Sequence, residues 1–209
     1  MDLPPGFDYS EFTNTLIHSR QHVAPRRLVD PGPSGPQIQS ILASAAAAPD
    51  HGQLLPWRFV LVPVEKRELL AEVFGLALHD RDPGATPEQI DNARDKAHRA
   101  PFLMLAIARL AGSTPQRDAQ RLEAGELAVS DAERLVSLGC AIQNVLLAAH
   151  AMGFGSGLTS GQALVSPRLR TLFGLHDHEQ AVCCINIGTV AKGKPARLRP
   201  EVAAFVSSL

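Results

Sequence analysis

An α+β fold is predicted for this chain by two observations: segments of helical spacing outnumber segments of strand length, and the strands are not separated by the regular helical crossovers of a doubly wound sheet. A third bounds the size. At 209 residues, 45% apolar and 20% charged, the chain fits one domain spanning 1–209, with residues 1–18 as an N-terminal arm and helix.

Residues 9–22 place Phe12, Leu16 and Ile17 at helical spacing, and Pro25 ends that element by pushing Ala24 out of the helical region. The stretch 31–36 is a rigid turn in which Ser34 can cap the next helix while Pro36 enters its first turn. That helix, 36–47, carries Ile38, Ile41, Leu42 and Ala45 on one face. Residues 57–63 read as a strand, 65–78 as an amphipathic helix, 80–85 as a loop and 87–99 as a helix opened by Pro87. The continuous apolar run 102–109 predicts a strand buried on both faces, whereas 112–130 is polar and carries no assignable pattern. Residues 131–152 form a long apolar helix, the glycines of 153–157 break it, Ser166-Pro167 opens a short helix to 173, and 181–190 is the last strand.

A formal net charge of −1, with acids and bases scattered rather than blocked, gives no electrostatic footprint for nucleic acid or an anionic membrane. A small-molecule partner is expected instead. The three cysteines, Cys140, Cys183 and Cys184, form no disulfide framework and read as small buried hydrophobes in a reducing compartment. Residues 1–10 lack the basic and apolar regions of a secretory signal, so the cytoplasm is the expected location. No charged residue lies between Arg134 and Arg168, but Gln143, Asn144 and His150 argue for a helix buried in protein rather than in lipid.

Chemistry is sought first in residues 48–57, Ala-Pro-Asp-His-Gly-Gln-Leu-Leu-Pro-Trp. Pro49 stops a helix, a short loop exposes Asp50, His51 and Gln53, and Pro56-Trp57 launches a strand; polar side chains on a loop held by rigid elements suit a binding site. The plainer reading is that Asp50 caps a turn and His51 faces water. His176 and His178, with Asp177 and Glu179, read as a surface loop before the last strand, because no third metal ligand sits at recognisable spacing. No nucleophile elbow and no phosphate-loop lysine occur, which removes the hydrolase and nucleotide-phosphatase readings.

Five pieces in order, Ser19-Arg20-Gln21-His22, Ala48-Pro49-Asp50-His51, Leu55-Pro56-Trp57, Gly153-Phe154-Gly155 and Ile187-Gly188-Thr189, resemble the nitroreductase family over residues 12–200. The Ala-Pro-Asp-His form is most similar to a short branch of NAD(P)H nitroreductases. The resemblance implies a helix-covered, mostly antiparallel sheet, an obligate homodimer with two FMN sites at the subunit interface, and NAD(P)H as reductant. It also implies that the flavin carries the reaction, with no catalytic side chain and no metal.

The phosphate of FMN needs a planar multi-donor cation, the ribityl chain polar partners, and the ring system a flat apolar slot. The resemblance assigns the phosphate to Arg20, followed by Gln21 and His22; from the residues alone Arg20 reads equally as a cation at the end of the first helix. Arg26 and Arg27 compete, but the run Arg27-Leu28-Val29-Asp30-Pro31 resembles a later family step, which favours Arg20. Of Lys192, Lys194, Arg197 and Arg199 after the last strand, Arg199 is the choice for a second phosphate cation. His51 aligns with a family histidine that reaches FMN, often across a subunit boundary.

Leu158, Thr159 and Ser160 occupy the place of a flavin-contacting Trp-Arg-Ser-like triplet, on a flexible turn spanning 153–161. Further departures are His22 for Ser or Thr, Leu55 for Gln, and Ala47 for a basic residue. The expected activity is a two-electron, ping-pong reduction of a nitro compound, quinone or similar acceptor. The changed triplet keeps open a flavin-binding sensor or carrier without turnover, and beyond it a purely structural helical dimer.

Overall fold

The computed structural model describes residues 8–112, 115–125, 127–193, 195 and 198–209. Seven α-helices and five strands appear among them, α1 (Tyr9–Ser19), β1 (Leu28–Val29), α2 (Gly35–Ala45), β2 (Trp57–Leu61), α3 (Arg67–Arg81), α4 (Pro87–Asp95), β3 (Phe102–Arg109), α5 (Pro115–Glu123), α6 (Asp131–Ala151), β4 (Gly155–Thr159), α7 (Pro167–Phe173) and β5 (Glu179–Val190). The α+β class is borne out. The strands pair antiparallel in the order β1-β5-β3-β2, and β4 joins the β1 edge of β5 farther along.

The strand β3 is apolar from Phe102 to Ala108 because helices cover both of its faces. Met104, Ala106 and Ala108 pack with Ile41 and Ala45 of α2 and with Leu138, Ala141 and Val145 of α6. Leu103, Leu105 and Ile107 meet Leu70 and Phe74 of α3 and Leu169 of α7. The same two-residue period splits the adjacent thiols, Cys183 into the α6 core and Cys184 into the α3 core. Burial pushes Cys183 to about 11 and Cys184 to about 12, so neither is a thiolate nucleophile at neutral pH.

Three expectations are corrected. The first helix ends at Ser19, because Arg20 turns to extended backbone and Val23 donates its N–H to the Ser156 carbonyl at 2.9 Å; a tertiary bond takes residues whose apolar spacing alone would continue the helix. Residues 155–159 are a strand rather than a flexible turn, since the free edge of β5 supplies partners from Cys184 to Gly188. Glu179 is not on a surface loop: it is buried at the start of β5 and accepts two 2.7 Å bonds from the Arg58 guanidinium, which hold its carboxyl below the usual range despite burial.

The polar stretch after β3 contains α5, tied to α6 by the buried Arg134, whose Nη2 lies 2.6 Å from Asp118. Helix α6 starts at a capping box, with Ser130 and Glu133 each accepting from the other's backbone N–H. One of its faces lies on the sheet. The other leaves Leu135 and Val136 exposed to 39% and 66%, with Gly139 and Gln143 along the same stripe.

Candidate functional site

The turn from α1 into residues 20–23 lies beside β4, forming a parallel bridge between His22 and Ser156. Close approach is possible only because residue 157 is glycine: a Cβ there would collide with the Val23 carbonyl and lie 3.1 Å from His22 Cε1. The result is a cavity of about 250 Å³ lined by Arg20, Gln21, His22, Arg27, His150 and Ser156 among others.

Its electrostatics are one-sided. The lining includes Arg20 and Arg27 and, among the described residues, no carboxylate. The C-terminal segment returns to this point, where Arg199 Nη2 donates to the Arg20 carbonyl at 2.9 Å. Burial and then the Arg199 charge depress the Arg20 guanidinium below its ordinary value, although it stays protonated. His150 Nε2 lies 2.7 Å from Ser19 Oγ, and burial, then Arg20, lowers its pKa. The hydroxyl of Ser156 is buried and has no hydrogen-bond partner among the described residues, which in a buried polar group calls for an explanation such as a ligand or water.

A second cavity, about 500 Å³, opens at the other end of β4. Phe74, Leu78, Leu103 and Leu164 form apolar lining, and Thr159, Ser160, Gln89 and Asn92 add polar groups. The Thr159 hydroxyl is held by the buried Asn186, whose Nδ2 donates to it at 3.1 Å. Leu158 does not line this cavity; it lies on the other face of the strand from Thr159 and is 36% exposed.

Arg20, Gln21, His22 and Arg199 thus meet at one end of β4, and Thr159 and Ser160 lie at the other. Lys194 and Arg197, two competing C-terminal cations, fall outside the described residues. His51 stands apart. It sits in a 3-10 turn, His51–Gln53, with Nδ1 3.0 Å from Glu133 at the start of α6, while Arg20 neighbours His150 at the end of that helix. The seventeen residue steps from Glu133 to His150 span about 25 Å at the α-helical rise.

Asp50 does cap its turn, accepting from the Leu54 and Leu55 N–H groups at 3.0 and 2.8 Å, and His51 is exposed. Gln53 and Leu55 adopt left-handed backbone, φ 52° and 49°, which is strained for both residue types. Ser156 and His150 join the first cavity, and Asn186 holds Thr159 of the second, without having been singled out as ligands from sequence, while Arg27, weighed there against Arg20, lines the first cavity beside it. A short hydroxyl between two glycines and a lone imidazole at a helix end were the available signals.

The fit to a flavin mononucleotide is good on these observations. Uncompensated guanidinium charge and an orphaned hydroxyl suit a phosphate, and an apolar lining with hydroxyl groups suits a flat heterocycle.

The chain is similar to "Putative NAD(P)H nitroreductase YdjA" of Escherichia coli K12, 32% identical over 163 residues, covering 78% of this chain and 81% of that one. A Haemophilus influenzae protein named "Putative NAD(P)H nitroreductase" is 29% identical over 175 residues, covering 84% and 86%. Among solved structures, a nitroreductase-like family protein from Bacillus cereus superimposes with a TM-score of 0.76 at 20% identity, covering 97% of this chain and 98% of that one. The NADPH:FMN oxidoreductase of Vibrio harveyi, complexed with NAD+, reaches 0.69 at 16% identity, covering 94% and 76%. The nitroreductase family model matches residues 20–189, from the guanidinium at the end of α1 to the last turns of β5, and with these relatives it makes the chain a member of the nitroreductase family.

Proposed function

We propose that the chain is an FMN-dependent oxidoreductase that takes a hydride from NADH or NADPH and passes it to a nitro compound, a quinone or a related acceptor. The observation that carries this reading is the pair of cavities at the two ends of β4: a cationic one beside the orphaned Ser156 hydroxyl, and a larger apolar-lined one past Thr159. Bound FMN would supply the two-electron relay between reductant and acceptor.

The side chains have binding and orienting tasks. Arg20 holds the phosphate dianion with a planar fork, and Arg199 both fixes the Arg20 backbone and adds positive charge. Gln21 and His22 offer polar atoms to the sugar alcohol, and Ser156 finds in the phosphate end the partner it lacks. Thr159 and Ser160 face the ring end, with Asn186 fixing the Thr159 hydroxyl, and Leu158 contributes backbone. No side chain is assigned a proton-transfer or nucleophilic role.

The working unit is a homodimer in the cytoplasm. The exposed stripe of Leu135, Val136 and Gly139 on α6 suits a partner helix. Within one chain His51 and Arg20 lie at opposite ends of α6, which suits a His51 contact made in the partner's site.

The test is the visible spectrum of purified protein loaded with FMN, followed by anaerobic addition of NADH and of NADPH. A retained flavin band, bleached by either nucleotide and restored by a nitroaromatic or quinone, is the expected result. A colourless protein after loading sinks the reading. Flavin that is retained but never bleached makes the chain a carrier or sensor.

A further inference from the structure

The second cavity carries charge that the oxidoreductase reading does not use. Arg81 ends α3 and Lys96 caps α4, and both residues line the cavity together with Arg99. Arg99 is already engaged, its Nε 3.1 Å from Asp95. Arg81 and Lys96 have no ion-pair partner among the described residues, and no carboxylate lines the cavity there. A cation at a helix C-terminus suits the helix dipole, which accounts for one charge at each helix end. It does not require two helix ends to aim their charges into one apolar-lined space.

We propose that this cavity selects electron acceptors carrying a carboxylate on a flat ring, and that Arg81 and Lys96 read the carboxylate. With the flavin ring at the Thr159 and Ser160 side of the cavity, the apolar lining of Phe74, Leu78 and Leu164 takes the acceptor's ring, and the two cations at the rim take the anion. The inference rests on the oxidoreductase reading and names the substrate class of the same site. Both cations are exposed, so water and salt screen them; together they give about a tenfold preference for an anionic over an isosteric neutral acceptor at low ionic strength.

The experiment compares 4-nitrobenzoate with 4-nitrobenzamide on the FMN-loaded protein. Reduction of either nitro group to nitroso consumes one NAD(P)H and one proton and releases one water. The acid is expected to have about tenfold higher kcat/KM, and the ratio to fall towards unity in Arg81→Gln/Lys96→Gln and in high salt. Arg81→Lys should keep most of the ratio, and the single Lys96→Gln variant should give an intermediate value. Calorimetric binding of redox-inert benzoate, tighter than benzamide by the same factor, is the second readout.

A wild-type ratio near one, or a ratio unmoved in the double variant, overturns the inference. So does a variant that loses flavin on gel filtration, which assigns the cations to the cofactor. A rise confined to the KM of NADPH also overturns it, because the anion being read is then the phosphate of the reductant. If neither acceptor turns over while benzoate still binds selectively, the oxidoreductase reading fails and the anion site stands.

Discussion

The two ends of helix α6 are built differently. At its C-terminal end, His150 meets Ser19, Arg20 lies beside it, and β4 and the returning Arg199 segment close around a cavity. At its N-terminal end, His51 and Glu133 form a pair exposed on both sides, 59% and 45%, on a turn held by the Asp50 carboxylate. One end is a lined cavity and the other a surface. The sequence motifs are divided between them, about 25 Å apart at 1.5 Å per residue; under the proposed shared site, one chain would present half of it at each end.

The largest expected effect comes from the point where the cavity end is assembled. A valine at Gly157 would drive its side chain into the backbone carbonyl of Val23, a residue whose N–H already donates to the Ser156 carbonyl. Gly157→Val should cost about 3 kcal/mol of stability or more and abolish flavin retention. Denaturant unfolding and flavin stoichiometry check it, and wild-type stability would mean that residues 20–23 do not lie on β4.

Next in size is Arg20→Gln. Removing a charged donor from a phosphate costs roughly 1.5–3 kcal/mol, an FMN affinity loss of about ten- to a hundredfold, with the melting temperature of the flavin-free protein little changed. Fluorescence titration of FMN measures it. A loss of folding instead would assign Arg20 to structure.

The separation of the two ends can be tested directly by mixing subunits. His51→Gln alone should weaken FMN by about fivefold, the worth of one hydrogen bond. In a heterodimer of Arg20→Gln and His51→Gln chains, a site shared between subunits collects both lesions in one copy and neither in the other. One full-affinity flavin per dimer is expected. If His51 serves its own chain, mixing restores none.

What was legible in the sequence follows the same division between local and tertiary causes. Helix α6 and strand β3 could be read because their apolar patterns are long and their ends carry caps or breaks. The strand β4, Gly-Ser-Gly-Leu-Thr, could not: its residues have little preference for extended structure, and it exists because β5 offers an open edge. Strand β1 has only two residues, too few for any period. Arg20, Gln21, His22 and Arg199 were found through family resemblance, and the structure brings these four together. The Ser156 hydroxyl was invisible, because its significance lies in lacking a partner among the described residues. Arg81 lies on a different helix from Lys96 and Arg99, and only the packing of α3 beside α4 makes all three neighbours of one cavity.

The smallest effect distinguishes the loaded from the empty cavity. His150 has its pKa depressed first by burial and then by Arg20, so its folded value lies below the unfolded value of about 6.5. The unfolded chain therefore takes the proton first. The stability associated with neutral His150 is present above about pH 6.5 and is lost as pH falls through the folded value. The carboxyls held low by hydrogen bonds, at Asp8, Asp80, Glu133 and Glu179, act at lower pH, which leaves the window between about pH 6.5 and pH 5 to His150 among the shifted groups. Flavin-free protein should lose stability across that window, and His150→Gln should lose less. A phosphate beside the imidazole favours its charged form and opposes the effect of Arg20, so FMN loading should flatten the wild-type slope but not that of the variant. Denaturation midpoints measured across the window, with and without FMN, check the sign. An FMN-loaded wild type as steep as the empty protein would place the phosphate away from His150, and with it away from the Arg20 end of α6.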